Sequence, residues 1–152
     1  MDSQCAIEEQ RPRPTLCVKT RAPVSALPKV LGQAFGELMG AIAGQGAQIV
    51  GEPFVAYRNR NMEDLDLEIG FPVSQPLVAR GRAEPGLLPG GKWASTLFVG
   101  AYDKVAPAWD ALERFVAATG HEPGGPAYEF YFDGPETPPE KTRTRLTFPL
   151  KS

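Results

Sequence analysis

Apolar positions along the chain follow two periods, and the switches between them mark its elements. Thr15-Leu16-Cys17-Val18-Lys19-Thr20 is a short run of strand type. From about Ser25 to Ala43 the apolar residues Leu27, Leu31, Phe35, Leu38 and Ile42 recur at three- and four-residue steps. That spacing predicts a helix with those side chains on one face, Ser25 as its N-cap and Pro28 in its first turn. Phe54-Val55-Ala56-Tyr57 and Leu65-Asp66-Leu67-Glu68-Ile69 follow as strands, the second alternating apolar residues against Asp64, Asp66 and Glu68. A turn-rich linker from Gln75 to Gly86 leads to a strand over Lys92 to Val99. A second helix is expected from about Asp103 to Thr119, with Val105, Trp109, Leu112 and Val116 inward and Gly120 as its stop. Tyr128 to Phe132 and Arg143 to Phe148 supply the last strands.

The order strand, helix, strand, strand therefore occurs twice, and local sequence repeats with it. Gly51-x-Pro53-x-x-x-Tyr57 aligns with Gly124-x-Pro126-x-x-x-Phe130, and Phe71-Pro72-Val73 with Phe148-Pro149-Leu150. A half of this size would leave one sheet face uncovered, so the two halves are expected to share a core. The expected fold is α+β: pseudo-twofold duplicated strand-helix-strand-strand units forming a curved antiparallel sheet with two helices and a central ligand groove. Residues 1–14 read as an N-terminal tail or edge segment, and 15–152 as a single domain with halves of about 15–75 and 90–150.

Composition sharpens this picture. The 152 residues are 42% hydrophobic and 22% charged, which suits a globular domain. Sixteen glycines and sixteen prolines make up about a fifth of the chain, against about a tenth in an average protein. Without a collagen-like period they punctuate many short elements. Gly32, Gly36, Gly40 and Gly44 fall every fourth residue of the first helix, and each interior glycine costs about 1 kcal/mol against alanine. Close approach of another backbone or a ligand along that seam is the expected reason.

Sixteen Lys+Arg against eighteen Asp+Glu leave a formal charge of −2, with no basic cluster to serve as a nucleic-acid footprint. No apolar run approaches the roughly 20 residues that cross a bilayer, and Met1-Asp2-Ser3-Gln4-Cys5 lacks the basic start of a secretion signal. A cytoplasmic, bacterial setting with Cys5 and Cys17 reduced is expected. A lone histidine, His121, and two separated cysteines build no recognisable zinc site, so neither metal nor cofactor is expected. Carboxylates two apart on a flat strand do not converge on one ion, so Asp64, Asp66 and Glu68 read as a solvated face.

The residue the sequence singles out is Glu129, inside Tyr128-Glu129-Phe130-Tyr131-Phe132. Strand alternation sends Tyr128, Phe130 and Phe132 to one face and Glu129 with Tyr131 to the other. A carboxylate desolvated among rings either takes up a proton or binds something cationic, and rings beside it attract cations by about 0.5–2 kcal/mol each. A solvated surface position for Glu129 is the plain alternative.

Leu88-Pro89-Gly90-Gly91-Lys92-Trp93, Gly100-x-Tyr102-Asp103, Trp109-x-x-Leu112, Gly125-Pro126-x-Tyr128-Glu129-x-Tyr131 and the closing Phe148-Pro149-Leu150 together resemble the GyrI-like small-molecule-binding domain. That domain is also the effector-binding module of AraC/Rob-type and MerR-type multidrug regulators. With Gly51-x-Pro53-x-x-x-Tyr57 the resemblance spans about residues 15–150. It implies that Glu129 is the buried acid facing a ligand. It also implies aromatic walls, for which the candidates are Tyr57, Tyr131, Tyr102, Trp109, Trp93 and Phe71. Core packing is the competing role for Tyr102 and, more strongly, for Trp109. Residues 1–14 hold no helix-turn-helix, so the expectation is a stand-alone domain without direct nucleic-acid or membrane contact. Its expected partners are a small-molecule ligand and either a weak homodimer mate or a separate regulator chain.

Three functions follow from the resemblance. The first is binding of hydrophobic, cationic or planar aromatic small molecules. The second is hydrolysis of strained cyclopropanoid cytotoxins, with Glu129 as base and Tyr102 as polarising group. The third is a gyrase-inhibitor-like protein interaction through the acidic row.

Overall fold

Every strand expected from the alternating pattern forms, and two further strands flank them. The computed structural model describes residues 4–134 and 136–151. Its elements are β1 (Cys5–Gln10), β2 (Arg13–Ala22), α1 (Leu27–Gly44), β3 (Phe54–Tyr57), β4 (Leu65–Pro72), β5 (Ala83–Leu88), β6 (Gly91–Val99), α2 (Ala106–Ala118), β7 (Ala127–Tyr131) and β8 (Arg143–Pro149). The fold class is α+β, and all strand pairing within each unit is antiparallel.

The chain divides into two compact units. The first is Pro12–Pro89; the second joins the residues up to Arg11 to those from Gly90 onward. In the first unit the strand order is β3-β4-β2-β5, and in the second β7-β8-β6-β1. Each unit carries one helix, α1 or α2. β5 lies within and beyond the stretch expected to be a linker. Pro85 and Gly86 disguise it, because both are depleted in strands; at a sheet edge a proline's missing N–H costs no ladder bond.

Leu27, Ala34, Leu38 and Ile42 of α1 are buried, and the Phe35 ring packs on Phe71 of β4 with centroids 5.2 Å apart. Gly70 of β4 lets strands and rings close up there. A side chain at that position would fall 2.9 Å from the Leu16 carbonyl oxygen and 2.8 Å from Phe54 Cζ. In the second unit Ala108, Leu112 and Val116 of α2 form a core with Ala94, Leu146, Phe148 and Leu150, and Cys5, Ile7, Phe98, Val105 and Trp109 pack against it.

Two local expectations need correction. Ser25 caps nothing: a short 3-10 turn, Val24–Ala26, precedes α1, whose N-cap is Ala26. The glycine seam is not a close-packed surface. Gly32, Gly36, Gly40 and Gly44 are exposed, and an added methyl group at any of them would meet nothing within 4 Å.

Candidate functional site

β7 runs beside β8, with Glu129 opposite Leu146 and Tyr131 opposite Thr144. Leu146 belongs to the core under α2, so the pleat turns Glu129 and Tyr131 toward the helix-covered face. Tyr128 and Phe130 occupy the other face, where their rings stack with centroids 6.1 Å apart and Trp93 meets Tyr128 edge-on at 5.1 Å. The alternation read from the sequence is the alternation observed.

Glu129 is 2% exposed. Tyr102 Oη donates to its Oε1 at 2.8 Å, and Tyr131 Oη donates to the same oxygen at 2.9 Å. Trp109 Nε1–H donates to Oε2 at 3.2 Å. An ionised carboxylate only accepts hydrogen bonds, and each of these partners offers a donor from an apolar ring, so the group is satisfied without polar bulk around it.

The donors reach Glu129 by different local routes. Tyr131 sits two residues along the same strand face. Tyr102 opens a 3-10 turn, Tyr102–Lys104, that leads into α2 with Pro107 in the helix's first turn. Gly100 sets up that turn. Its φ of +149° lies in a region side chains rarely adopt, its N–H donates to Thr142 O at 2.9 Å, and an added Cβ would press on Phe98 Cζ at 3.1 Å. Trp109 lies one turn into α2, where its ring stacks on Phe148 of β8 at 6.4 Å with planes 13° apart. Its core-packing role and its contact with Glu129 therefore coexist. Tyr102 is 41% exposed, so the hydrogen-bonded network runs from a buried carboxylate to the protein surface.

Glu129, Tyr102, Tyr131 and Trp109 thus come together. Trp93 belongs to the same unit but to the opposite face of its sheet, through Tyr128. Tyr57, on β3, and Phe71, on β4 against Phe35, belong to the first unit. Gly100, which sets the Tyr102 turn, and Phe148, which stacks on Trp109, gain their roles only from the structure. Their signal was the glycine before an aromatic turn, and the Phe-Pro pair that recurs in both halves.

The acidic row carries its own cations. Arg21 makes a two-pronged contact with Asp64 at 3.0–3.2 Å and lies 3.5 Å from Asp66, while Arg58 pairs with Glu68 at 2.9 Å. Arg21 holds the Asp64 carboxyl below its ordinary range. A neutralised row offers little mimicry of a phosphate backbone. Among the described residues no group of three or more His, Cys, Asp or Glu is placed to hold a metal ion, and no helix is long and apolar enough to cross a membrane.

Comparison with solved structures finds the same fold elsewhere at low identity. The C-terminal domain of EcmrR superposes with a TM-score of 0.88 at 20% identity, covering 99% of each chain. This chain spans 57% of the EcmrR chain solved in complex with DNA. SAV2435 bound to tetraphenylphosphonium matches with a TM-score of 0.67 at 15% identity over 99% of this chain and 94% of that one. A Listeria innocua protein described as a hydrolase matches with a TM-score of 0.70 at 13% identity, over 97% and 92%. No curated protein sequence matches significantly. The model of the GyrI-like small molecule binding domain matches residues 3–151. The chain belongs to the GyrI-like small-molecule-binding domain family.

Proposed function

We propose that this domain binds hydrophobic cations and planar aromatic compounds, with Glu129 supplying the negative charge and Tyr102, Trp109 and Tyr131 the aromatic surround. The observation that carries the reading is a buried carboxylate held in place by three ring-borne donors. A charge fixed among π-systems suits a lipophilic cation, which gains Coulomb attraction and contact with ring faces while losing little hydration. The fold likeness to a protein solved with tetraphenylphosphonium supports the same ligand class. The setting proposed is the cytosol.

The test is titration of tetraphenylphosphonium and of neutral triphenylphosphine oxide, followed by tryptophan fluorescence and thermal shift. Glu129→Gln is expected to weaken the phosphonium by about tenfold or more, the scale of one lost charge contact, and to leave the oxide nearly unchanged. Equal effects on both compounds would remove Glu129 from the charge role.

A second reading rests on the two phenols that share Oε1. A carboxylate could take the proton of an attacking water while a tyrosine hydroxyl polarises a carbonyl conjugated to a strained ring. Gain of one water by a cyclopropane-bearing electrophile, lost in Glu129→Ala, would select hydrolysis; binding without product would select the first reading.

A further inference from the structure

Tyr102 reaches Glu129 from a turn, and a charged pair at the mouth of the β7–β8 hairpin is tied to that turn. Asp133 follows Glu129 by four residues in the chain. Its Oδ2 accepts from the Arg143 backbone N–H at 2.8 Å and from Arg143 Nε at 3.1 Å, and its Oδ1 accepts from Arg143 Nη2 at 2.9 Å. The same guanidinium lies 5.5 Å from the Phe132 ring centroid, and the Asp133 side chain is 14% exposed. Thr142, which precedes Arg143, donates its hydroxyl to Pro138 O at 3.2 Å and accepts the Gly100 N–H on its own carbonyl at 2.9 Å. Gly100 leads through Ala101 into the Tyr102 turn, whose phenol meets Glu129 Oε1 at 2.8 Å. The circuit is closed: Glu129, Asp133, Arg143, Thr142, Gly100, Tyr102 and back to Glu129.

The first half of the chain shows that closing such a hairpin takes less. Asn59, two residues past Tyr57 as Asp133 is two past Tyr131, accepts the Asp66 N–H at 3.0 Å with a neutral side chain. A two-pronged charged pair also locks a planar guanidinium in one geometry, which a lone amide contact does not. Tyr102 is 41% exposed, more than its fellow donors Tyr131 and Trp109, so its position depends most on the turn that carries it. Resting on the binding function proposed above, we infer that Asp133 and Arg143 are a positioning pair for the site, holding the Tyr102 hydroxyl on Glu129 through Thr142 and Gly100. The pair touches no ligand; it sets the outermost of the three donors.

The experiment uses the full chain, titrated with tetraphenylphosphonium, and fluorine NMR of protein carrying fluorotyrosine, the Tyr102 resonance being the one lost in Tyr102→Phe. Asp133→Ala is expected to shift that resonance and weaken the phosphonium about fivefold; Asp133→Asn, which keeps an acceptor for the Arg143 N–H, should weaken it less. In a Tyr102→Phe background Asp133→Ala should cost little further affinity, because both changes remove the same contact. Asp64→Ala breaks a two-pronged pair with Arg21 in the other unit and removes the same charge, and should change neither readout. Thermal melts of each variant confirm that it is folded. An unmoved Tyr102 resonance, an unchanged affinity, additive losses in the double variant, or an equal effect of Asp64→Ala overturns the inference. A parent that does not bind the phosphonium overturns the reading beneath it, and the resonance alone then decides the positioning claim.

Discussion

A phenol or an indole is an unusual neighbour for a carboxylate, because its donor is a single polar atom on an apolar body. Three such neighbours let Glu129 be buried and satisfied while its surroundings stay greasy. Cys17 shows the opposite solution for an ionisable group. It is 1% exposed, its Sγ lies 3.1 Å from Thr15 Oγ1, and it stays neutral. Burial above all, with the nearby Glu68 charge adding and the Thr15 contact opposing, pushes its thiol up from 9 to about 12. The folded protein therefore keeps this proton where the unfolded chain has released it. Stability from this group is complete below the ordinary thiol value and falls as pH rises from about 9 toward about 12, at up to about 1.4 kcal/mol per pH unit. Denaturant unfolding across that range should show a steeper alkaline decline in the parent than in Cys17→Ser, which has no thiol to titrate. Parallel curves would mean that Cys17 is already reachable by hydroxide in the folded state.

At the scale of an element, α1 spends stability on its glycines without an evident return. Gly32, Gly36 and Gly40 sit inside the helix, are exposed, and have no neighbour within 4 Å of an added methyl. Alanine at each should therefore stabilise the protein by about 0.5–1 kcal/mol, and the three together nearly additively. Chemical denaturation measures this directly, and a loss of stability would place an unseen partner against that face. The same helix shows where sequence pattern suffices and where it does not. The apolar stripe of α1 was readable because burial follows the helical period. The fate of the glycine face was not, since an empty stripe looks the same whether covered or bare. Glu129, Tyr102, Trp109 and Tyr131 were legible as candidates from their aromatic strand and family motif, but their convergence on one carboxylate depends on the turn at Gly100. The repeat was legible too, though one residue out of register. The ladders set Val55 opposite Ile69 and Tyr57 opposite Leu67, as Glu129 faces Leu146 and Tyr131 faces Thr144. Tyr57 is thus the counterpart of Tyr131 and not of Phe130, and the counterpart of Glu129 is Val55. Matching glycines and prolines misled by one place because the counterpart of Gly51 is Gly125 and not Gly124: its missing side chain makes room for Pro149 as Gly51 does for Pro72. The carboxylate is therefore a feature of one half alone.

For the molecule as a whole, the register of the outer strands reveals how the duplication is closed. Ala83 of β5 lies opposite Val18 of β2, and Cys5 of β1 opposite Thr96 of β6. Each repeat is preceded in the chain by a strand that completes the sheet of the other, so the N-terminal segment belongs with residues that begin at Gly90. β1 contributes a six-residue ladder to β6, lays Cys5 and Ile7 against the α2 core, and supplies the Gln4 carbonyl that accepts from Thr96 Oγ1 at 3.0 Å. Against those gains stands the cost of ordering the segment, about 1–2 kcal/mol per residue of backbone. The two nearly offset, leaving a net contribution of about 1–3 kcal/mol. Deleting residues 1–11 should accordingly lower stability by that modest amount without preventing folding. Amide hydrogen exchange locates the loss. The β6 amides that face β1 should lose protection strongly, whereas the amides of β2, which keep β4 and β5 on either side, should lose little. Protection falling equally in both units would show that they open together, and that the borrowed strand stabilises the whole chain rather than the half it joins.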